Sequence, residues 1–351
     1  MAVLVATVSL AVALVGAELV FRLFEPRPYA PGAFYTPSGQ AAPLAEIFHY
    51  LQRHNIERER TGPSGRLIPD LRVKQGYDRP RWAYFDEQGC ISVEHNSLGF
   101  RDREFPVQKP AGEYRVMALG DSFTYGSGVQ LQDTWPKVLE RLLQQDRKEP
   151  VLVINGGFAC GTFTPAGYET WMEKDGLSFG PDMVIVGLCL NDMGNGNDVP
   201  MLSYAAVKME LSGASHLWVY VQKLLEQRRL AAEKAPDFAA IVRQHPETWH
   251  ATQQGLRNLK KILDGKGIPL VVAVLPMISQ LDPPDRYPYA GLHQMAVEFC
   301  RDADIRCIDL KDRFLGRRDL DLWAHPTDQH PNHDGQRLIA EGIMDVLGRE
   351  K

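Results

Sequence analysis

The chain has 351 residues, 44% hydrophobic and 24% charged, with a formal net charge of −5. This is the balance of an ordinary globular chain; it excludes a disordered or collagen-like sequence and permits a sizeable core. The slightly acidic total gives no broad positive surface, so nucleic acid is not an expected partner.

In chain order, Ala2–Ala17 carries no charge, and apolar residues resume at Leu19, Val20, Phe21, Leu23 and Phe24. As a helix the stretch reaches the roughly 20 residues needed to cross a bilayer. Glu18 and Arg22 interrupt it, but their i, i+4 spacing lets them pair near the interface. Val15-Gly16-Ala17 also reads as the cleavage site of a signal peptide, and no Lys or Arg precedes the apolar run. A membrane anchor over residues 1–24 is the expectation. Arg22 and Arg27 follow the span, which by the positive-inside rule alone leaves the remainder in the cytoplasm.

Residues 25–112 are rich in Pro, Gly, Arg and aromatics without a sustained period. They read as a tether followed by an irregular or short-stranded extension. Its compact feature, Asn96-Ser97-Leu98-Gly99-Phe100-Arg101-Asp102, reads as a glycine-containing turn with an exposed charged edge. From residue 113 to 351 apolar runs alternate with amphipathic stretches. Predicted strands are Arg115–Leu119, Val151–Ile154, Met183–Val186, Leu270–Leu275 and Arg306–Ile308. Predicted helices are Thr134–Gln145, Trp249–Asp264, His293–Asp302 and Gly335–Leu347. Short β-branched strands joined through helices imply an α/β fold with a parallel sheet and right-handed crossovers. The stretch 193–247 is too long for a plain loop; Tyr204–Leu211 and Leu217–Ala232 read as helical, making it a helical insertion over one edge. The five cysteines (Cys90, Cys160, Cys189, Cys300, Cys307) form no C-x-x-C pair, and their odd number does not read as a disulfide framework.

Chemistry-bearing residues gather at the ends of the predicted strands, where ligands collect in parallel sheets. Gly120-Asp121-Ser122 follows the first strand, so Ser122 projects from a strand-to-helix turn beside backbone N–H groups able to receive an oxyanion. Asn155-Gly156-Gly157 follows the second, where glycine permits close backbone approach. Asn191-Asp192 follows the third, with a side-chain amide as a further oxyanion donor. Before the last helix lies His325-Pro-Thr-Asp328-Gln-His330-Pro-Asn-His333-Asp334-Gly335. Here an imidazole and the carboxylate that fixes its tautomer can come from one loop, as Asp328 and His330. The same loop is rich enough in His and Asp to raise a metal, but its spacing fits no standard zinc pattern and no second ligand cluster occurs, so neither metal nor cofactor is expected. Each block alone is an ordinary turn or helix cap; their order along successive strand ends is what points to one crevice.

With these blocks the chain resembles the SGNH (GDSL-type) hydrolase family, in its bacterial membrane-tethered branch. The resemblance covers about Arg115–Leu347 through Gly120-Asp121-Ser122, Asn155–Gly161, Asn191-Asp192 and Asp328–Gly335, and Asn96–Asp102 resembles the lead-in of tethered members. It implies a flavodoxin-like three-layer α/β/α sandwich. It also implies Ser122 as nucleophile, His330 as base and Asp328 as the acid orienting it. The implied oxyanion donors are the Ser122 N–H, a glycine N–H (Gly157 or Gly161) and the Asn191 side chain, with Asp121 and Asp192 in support. The chain departs from the family pattern in having Cys160 where the second-block glycine usually stands, Cys189 two residues before Asn191, and a one-residue gap between Asp328 and His330. The implied activity is that of a serine esterase acting on an ester, an O-acylated glycan or a lipid, with the domain held outside the cell or in the periplasm by an inner-membrane anchor. The alternatives are an O-acyltransferase on envelope glycan and a non-catalytic, membrane-tethered glycan-binding module.

Overall fold

A computed structural model describes residues 1–24, 33–35, 41–42, 63, 65–67, 69–77, 81–87, 89–158, 164–193, 215, 217–218, 221, 238–326 and 328–348. The first helix, α1 (Ala2–Phe24), contains a segment, Val5–Leu23, long and apolar enough to cross a membrane or serve as a signal sequence, none of it buried in the protein. Glu18 and Arg22 pair at 2.7 Å, as their spacing predicts. Glu18 also accepts hydrogen bonds from the Ser215 hydroxyl at 2.7 Å and the Leu217 N–H at 3.0 Å.

The extension forms an antiparallel sheet of β1 (Ala33–Tyr35), β2 (Ala41–Ala42), β3 (Arg72–Gly76) and β4 (Cys90–Glu94), in the order β2-β1-β3-β4. Beyond it stand the five strands of the main sheet: β5 (Tyr114–Gly120), β6 (Val151–Gly157), β7 (Met183–Cys189), β8 (Leu270–Leu275) and β9 (Arg306–Asp309). All are parallel, in the order β6-β5-β7-β8-β9. Every predicted strand is present, and β8 keeps its predicted bounds. All six β8 residues are buried, as expected of a strand covered on both faces by helices.

Among the described residues, further helices are α2 (Ser122–Tyr125), α3 (Trp135–Asp146), α4 (Tyr168–Lys174), α5 (Phe238–Gln244), α6 (Pro246–Asp264), α7 (Ala290–Asp302) and α8 (His333–Leu347). α3 packs on α8 and α4 on α6, which layers helices around the sheet in the expected three-layer α/β/α arrangement. A short antiparallel pair, β10 (Trp323–His325) and β11 (Asp328–Pro331), precedes α8. Among the elements not anticipated are α4, α5 and this pair. Tyr204–Leu211 lies outside the described residues, as does most of Leu217–Ala232, of which Leu217, Trp218 and Val221 are helical.

One expectation is corrected. The Asn96–Asp102 segment is not an exposed charged edge: Arg101 is fully buried and Asp102 nearly so. Arg101 donates to the carbonyls of Tyr125, Gly126 and Val129, satisfying backbone oxygens at the end of α2 and in the turn that follows it. Asp102 pairs with buried Lys137 at 2.8 Å and accepts the Asn155 N–H at 2.9 Å. These charges are inward because they complete hydrogen bonds that the main domain leaves open.

The strand order places the site. From β5 the chain crosses to β6 on one side, then returns past β5 to β7 on the other. The crevice at such a switch point lies outside the carboxyl ends of the strands. Ser122 follows β5 and Asn191 follows β7, so the topology sets them on its two walls.

Candidate active site

Ser122 is the first residue of α2. Asp121 caps that helix, its Oδ1 accepting the Phe123 N–H at 2.9 Å, and the helix ends at Gly126 in the left-handed region (φ 84°). Such a short helix needs support from neighbours. Arg101 holds its last carbonyls, and Gln336 of α8 donates to the Phe123 carbonyl at 3.1 Å. Beneath it, a Cβ on Gly157 would stand 2.1 Å from the Tyr125 nitrogen, so glycine is what lets β6 approach α2 this closely.

Asp328 and His330 lie on β11. On an extended strand, residues two apart face the same side, so the one-residue gap sets carboxylate and imidazole side by side. His330 Nδ1 is 2.5 Å from Asp328 Oδ1, and His330 Nε2 is 2.9 Å from Ser122 Oγ. With an acceptor-only carboxylate at Nδ1, the ring carries its proton there and offers the Nε2 lone pair to the serine hydroxyl. Asp328 also accepts the His330 N–H at 3.1 Å, and its second oxygen accepts the Tyr77 phenol at 2.6 Å. Burial alone would raise the Asp328 carboxyl, but the His330 charge and these donors outweigh it and hold it well below the usual carboxylate range. Burial likewise disfavours the imidazolium of His330, yet the Asp328 charge and hydrogen bond prevail and raise its pKa above the ordinary histidine value.

Asn191 Nδ2 donates to Asp121 Oδ2 at 3.1 Å, which fixes the orientation of the amide and leaves its second N–H to point elsewhere. Thus one aspartate holds both the helix that bears Ser122 and the Asn191 side chain. Asp192 is buried beside it; burial and the Asp121 charge push its carboxyl well above the usual range. The Gly157 N–H is taken by Asn155 Oδ1 at 3.1 Å, whereas Cys160 and Gly161 lie outside the described residues. Cys189 is fully buried, with its sulfur 3.9 Å from that of Met277 and its thiol facing the Asp121 carboxylate.

The three histidines of the C-terminal loop part company. His330 meets Ser122, His325 packs against the Tyr77 ring, and His333 sits between Trp82 and Tyr84. Sequence reasoning missed Tyr77, whose partner lies 251 residues away and leaves no local pattern. It also missed Gln336, which takes the Trp135 N–H at 2.7 Å while holding α2.

Residues 118–338 match the profile of the GDSL-like Lipase/Acylhydrolase family. No curated protein matches the sequence significantly. Among solved structures, the chain is similar to a G-D-S-L-family protein from Desulfitobacterium hafniense at 18% identity, over 66% of this chain and 99% of that one, with a TM-score of 0.40. It is similar to a two-domain esterase active on acetylated mannans at 16% identity, over 68% of this chain but only 50% of that one, with a TM-score of 0.43. An acetylxylan esterase from Geobacillus stearothermophilus, solved as a catalytic mutant, matches at 16% identity over 67% of this chain and 94% of that one, with a TM-score of 0.42. The family profile spans well over half of the sequence, including the Ser122 turn, β7 and the Asp328–His330 strand, and the chain therefore belongs to the GDSL-like lipase/acylhydrolase family.

Proposed function

We propose that this protein is a serine esterase working through an acyl-enzyme. The observation that carries the reading is the unbroken hydrogen-bond chain Ser122–His330–Asp328 at a switch-point crevice. His330 Nε2 takes the Ser122 proton as Oγ attacks the ester carbonyl, and Asp328 stabilises the imidazolium that forms. The developing oxyanion is received by the Ser122 backbone N–H and the free N–H of Asn191 Nδ2. Gly161 is the candidate for a third donor, since Gly157 is already engaged. The imidazolium then protonates the departing alkoxide, leaving the acyl group on Ser122. Water, deprotonated by His330, releases the acid and restores the serine.

We further infer that α1 anchors the protein in a membrane, since Val5–Leu23 is long and apolar enough to cross one, and that, as the resemblance to tethered members implies and against the positions of Arg22 and Arg27, the catalytic domain stands outside the cytoplasm. An O-acylated envelope glycan is the first substrate class to test, and a long-chain lipid ester the second. The deciding experiment labels the full-length chain in detergent with a fluorophosphonate. The native protein should label, Ser122→Ala should not, and His330→Ala should label far more slowly. A folded native protein that neither labels nor cleaves p-nitrophenyl acetate would sink the enzyme reading and favour a glycan-binding module. Activity confined to long acyl chains would exclude the glycan.

A further inference from the structure

We propose that Tyr77, supplied by the N-terminal extension, is a positioning residue for this reaction: its phenol holds the outer oxygen of Asp328 so that the inner one meets His330 Nδ1. The proposal rests on the reading of Ser122, His330 and Asp328 given above.

The need for such a residue follows from the one-residue gap. Asp328 and His330 leave β11 on the same face, and the strand itself gives the carboxylate only the His330 N–H, at Oδ1. Nothing in the strand holds Oδ2. The terminal torsion of an aspartate is broad, so an unheld carboxylate can turn away from the ring, and its buried lone pairs would go unpaired. Tyr77, at the end of β3 and 1% exposed, donates to Oδ2 at 2.6 Å.

The phenol is itself held from several sides. Its ring meets Phe85 at 5.3 Å and His325 at 5.5 Å between centroids. Gly128 (φ 81°) closes over it: a Cβ there would lie 2.4 Å from that of Ala324 and 3.2 Å from the phenol oxygen. Gln75, two residues before Tyr77, accepts the Gly128 N–H at 3.3 Å, and Trp82 donates to the Trp323 carbonyl at 2.9 Å. The extension is thus fastened to both strands of the β10–β11 pair. Burial, reinforced by the Asp328 charge, drives ionisation of the phenol well above its usual range, so the O–H remains a donor at every working pH.

A donor on Oδ2 draws charge from the carboxylate. Its removal concentrates negative charge toward the imidazolium and raises the His330 pKa. The groups that face the pair are Asp121 toward His330, Tyr84 toward Asp328, and Arg101 and His325 toward Tyr77. All of them stay in place when only the hydroxyl is removed.

The test compares the full-length chain in detergent with Tyr77→Phe, by pH profiles of p-nitrophenyl acetate cleavage and by NMR titration of isotope-labelled His330. Tyr77→Phe should lower kcat by about 10–100-fold, the loss expected of one charge-assisted buried hydrogen bond. KM should change little, and the acid limb and the His330 titration should both move up. Replacing Tyr77 with 3-fluorotyrosine, a stronger donor of nearly the same shape, should move both down, and it serves if the Phe variant does not fold. A folded Tyr77→Phe protein with native kcat and titration overturns the proposal, as does a fluorotyrosine protein with an unmoved titration. If the native protein neither labels nor turns over ester, the esterase reading fails, while the His330 titration still decides the role of Tyr77.

Discussion

At the scale of single residues, the proposed mechanism makes the working pH depend on the balance of charge around His330. The raised pKa of His330 keeps the imidazole protonated, and idle as a base, until the pH passes above the ordinary value of about 6.5. The acid limb of kcat/KM is therefore expected above that value, and a pH-rate profile with a short-chain ester measures it. The same shift bears on stability with the opposite sign: the His330–Asp328 attraction is complete below the unfolded histidine pKa and is lost as the pH rises through the folded one. Activity should climb where this contribution fades. Asn191→Ala should lower kcat by about 10²–10³-fold, the range measured when one oxyanion donor is removed elsewhere. Assayed beside Ser122→Ala, it separates loss of the proposed donor from loss of the proposed nucleophile.

At the scale of elements, the main sheet was legible because buried parallel strands advertise themselves as short β-branched runs. Val271–Leu275 can hardly be anything else between its flanking helices. The amphipathic helices were legible for the same reason of period, and the residues at the strand ends followed. The β10–β11 pair was not: Asp328-Gln329-His330-Pro331 has no apolar alternation, and it is extended because it pairs with Trp323–His325. The inward turn of Arg101 was hidden as well. Its partners are the backbone carbonyls of Tyr125, at the end of α2, and of Gly126 and Val129 beyond it, and carbonyls carry no sequence signal. The junction of β6 with α2 is a sensitive one. Gly157→Ala would force a methyl against backbone and should cost about 1–3 kcal/mol, the range for overpacking, while displacing Ser122. Urea unfolding followed by tryptophan fluorescence, beside kcat, should show both losses. Lys137→Met, which strands the buried Asp102 carboxylate, should cost about 3–5 kcal/mol in the same measurement.

At the scale of the whole molecule, the boundary expected near residue 112 is crossed by many bonds. Tyr77 reaches Asp328, Arg101 reaches α2, Asp102 reaches Lys137 and Asn155, and Arg115 donates to the carbonyls of Pro106 and Val107. A chain begun at residue 113 is expected to lose fluorophosphonate reactivity; full labelling of such a chain would mean the extension is dispensable. The separation of the partners also has a consequence in time. Ser122 and His330 stand 208 residues apart, and Tyr77 and Asp328 stand 251 apart. At synthesis rates of about 5–20 residues per second, roughly 10–40 s pass between the emergence of the serine and that of its histidine. Through that interval Ser122 is an ordinary alcohol, so the nascent chain can pass esters in the cell that made it without reacting with any of them.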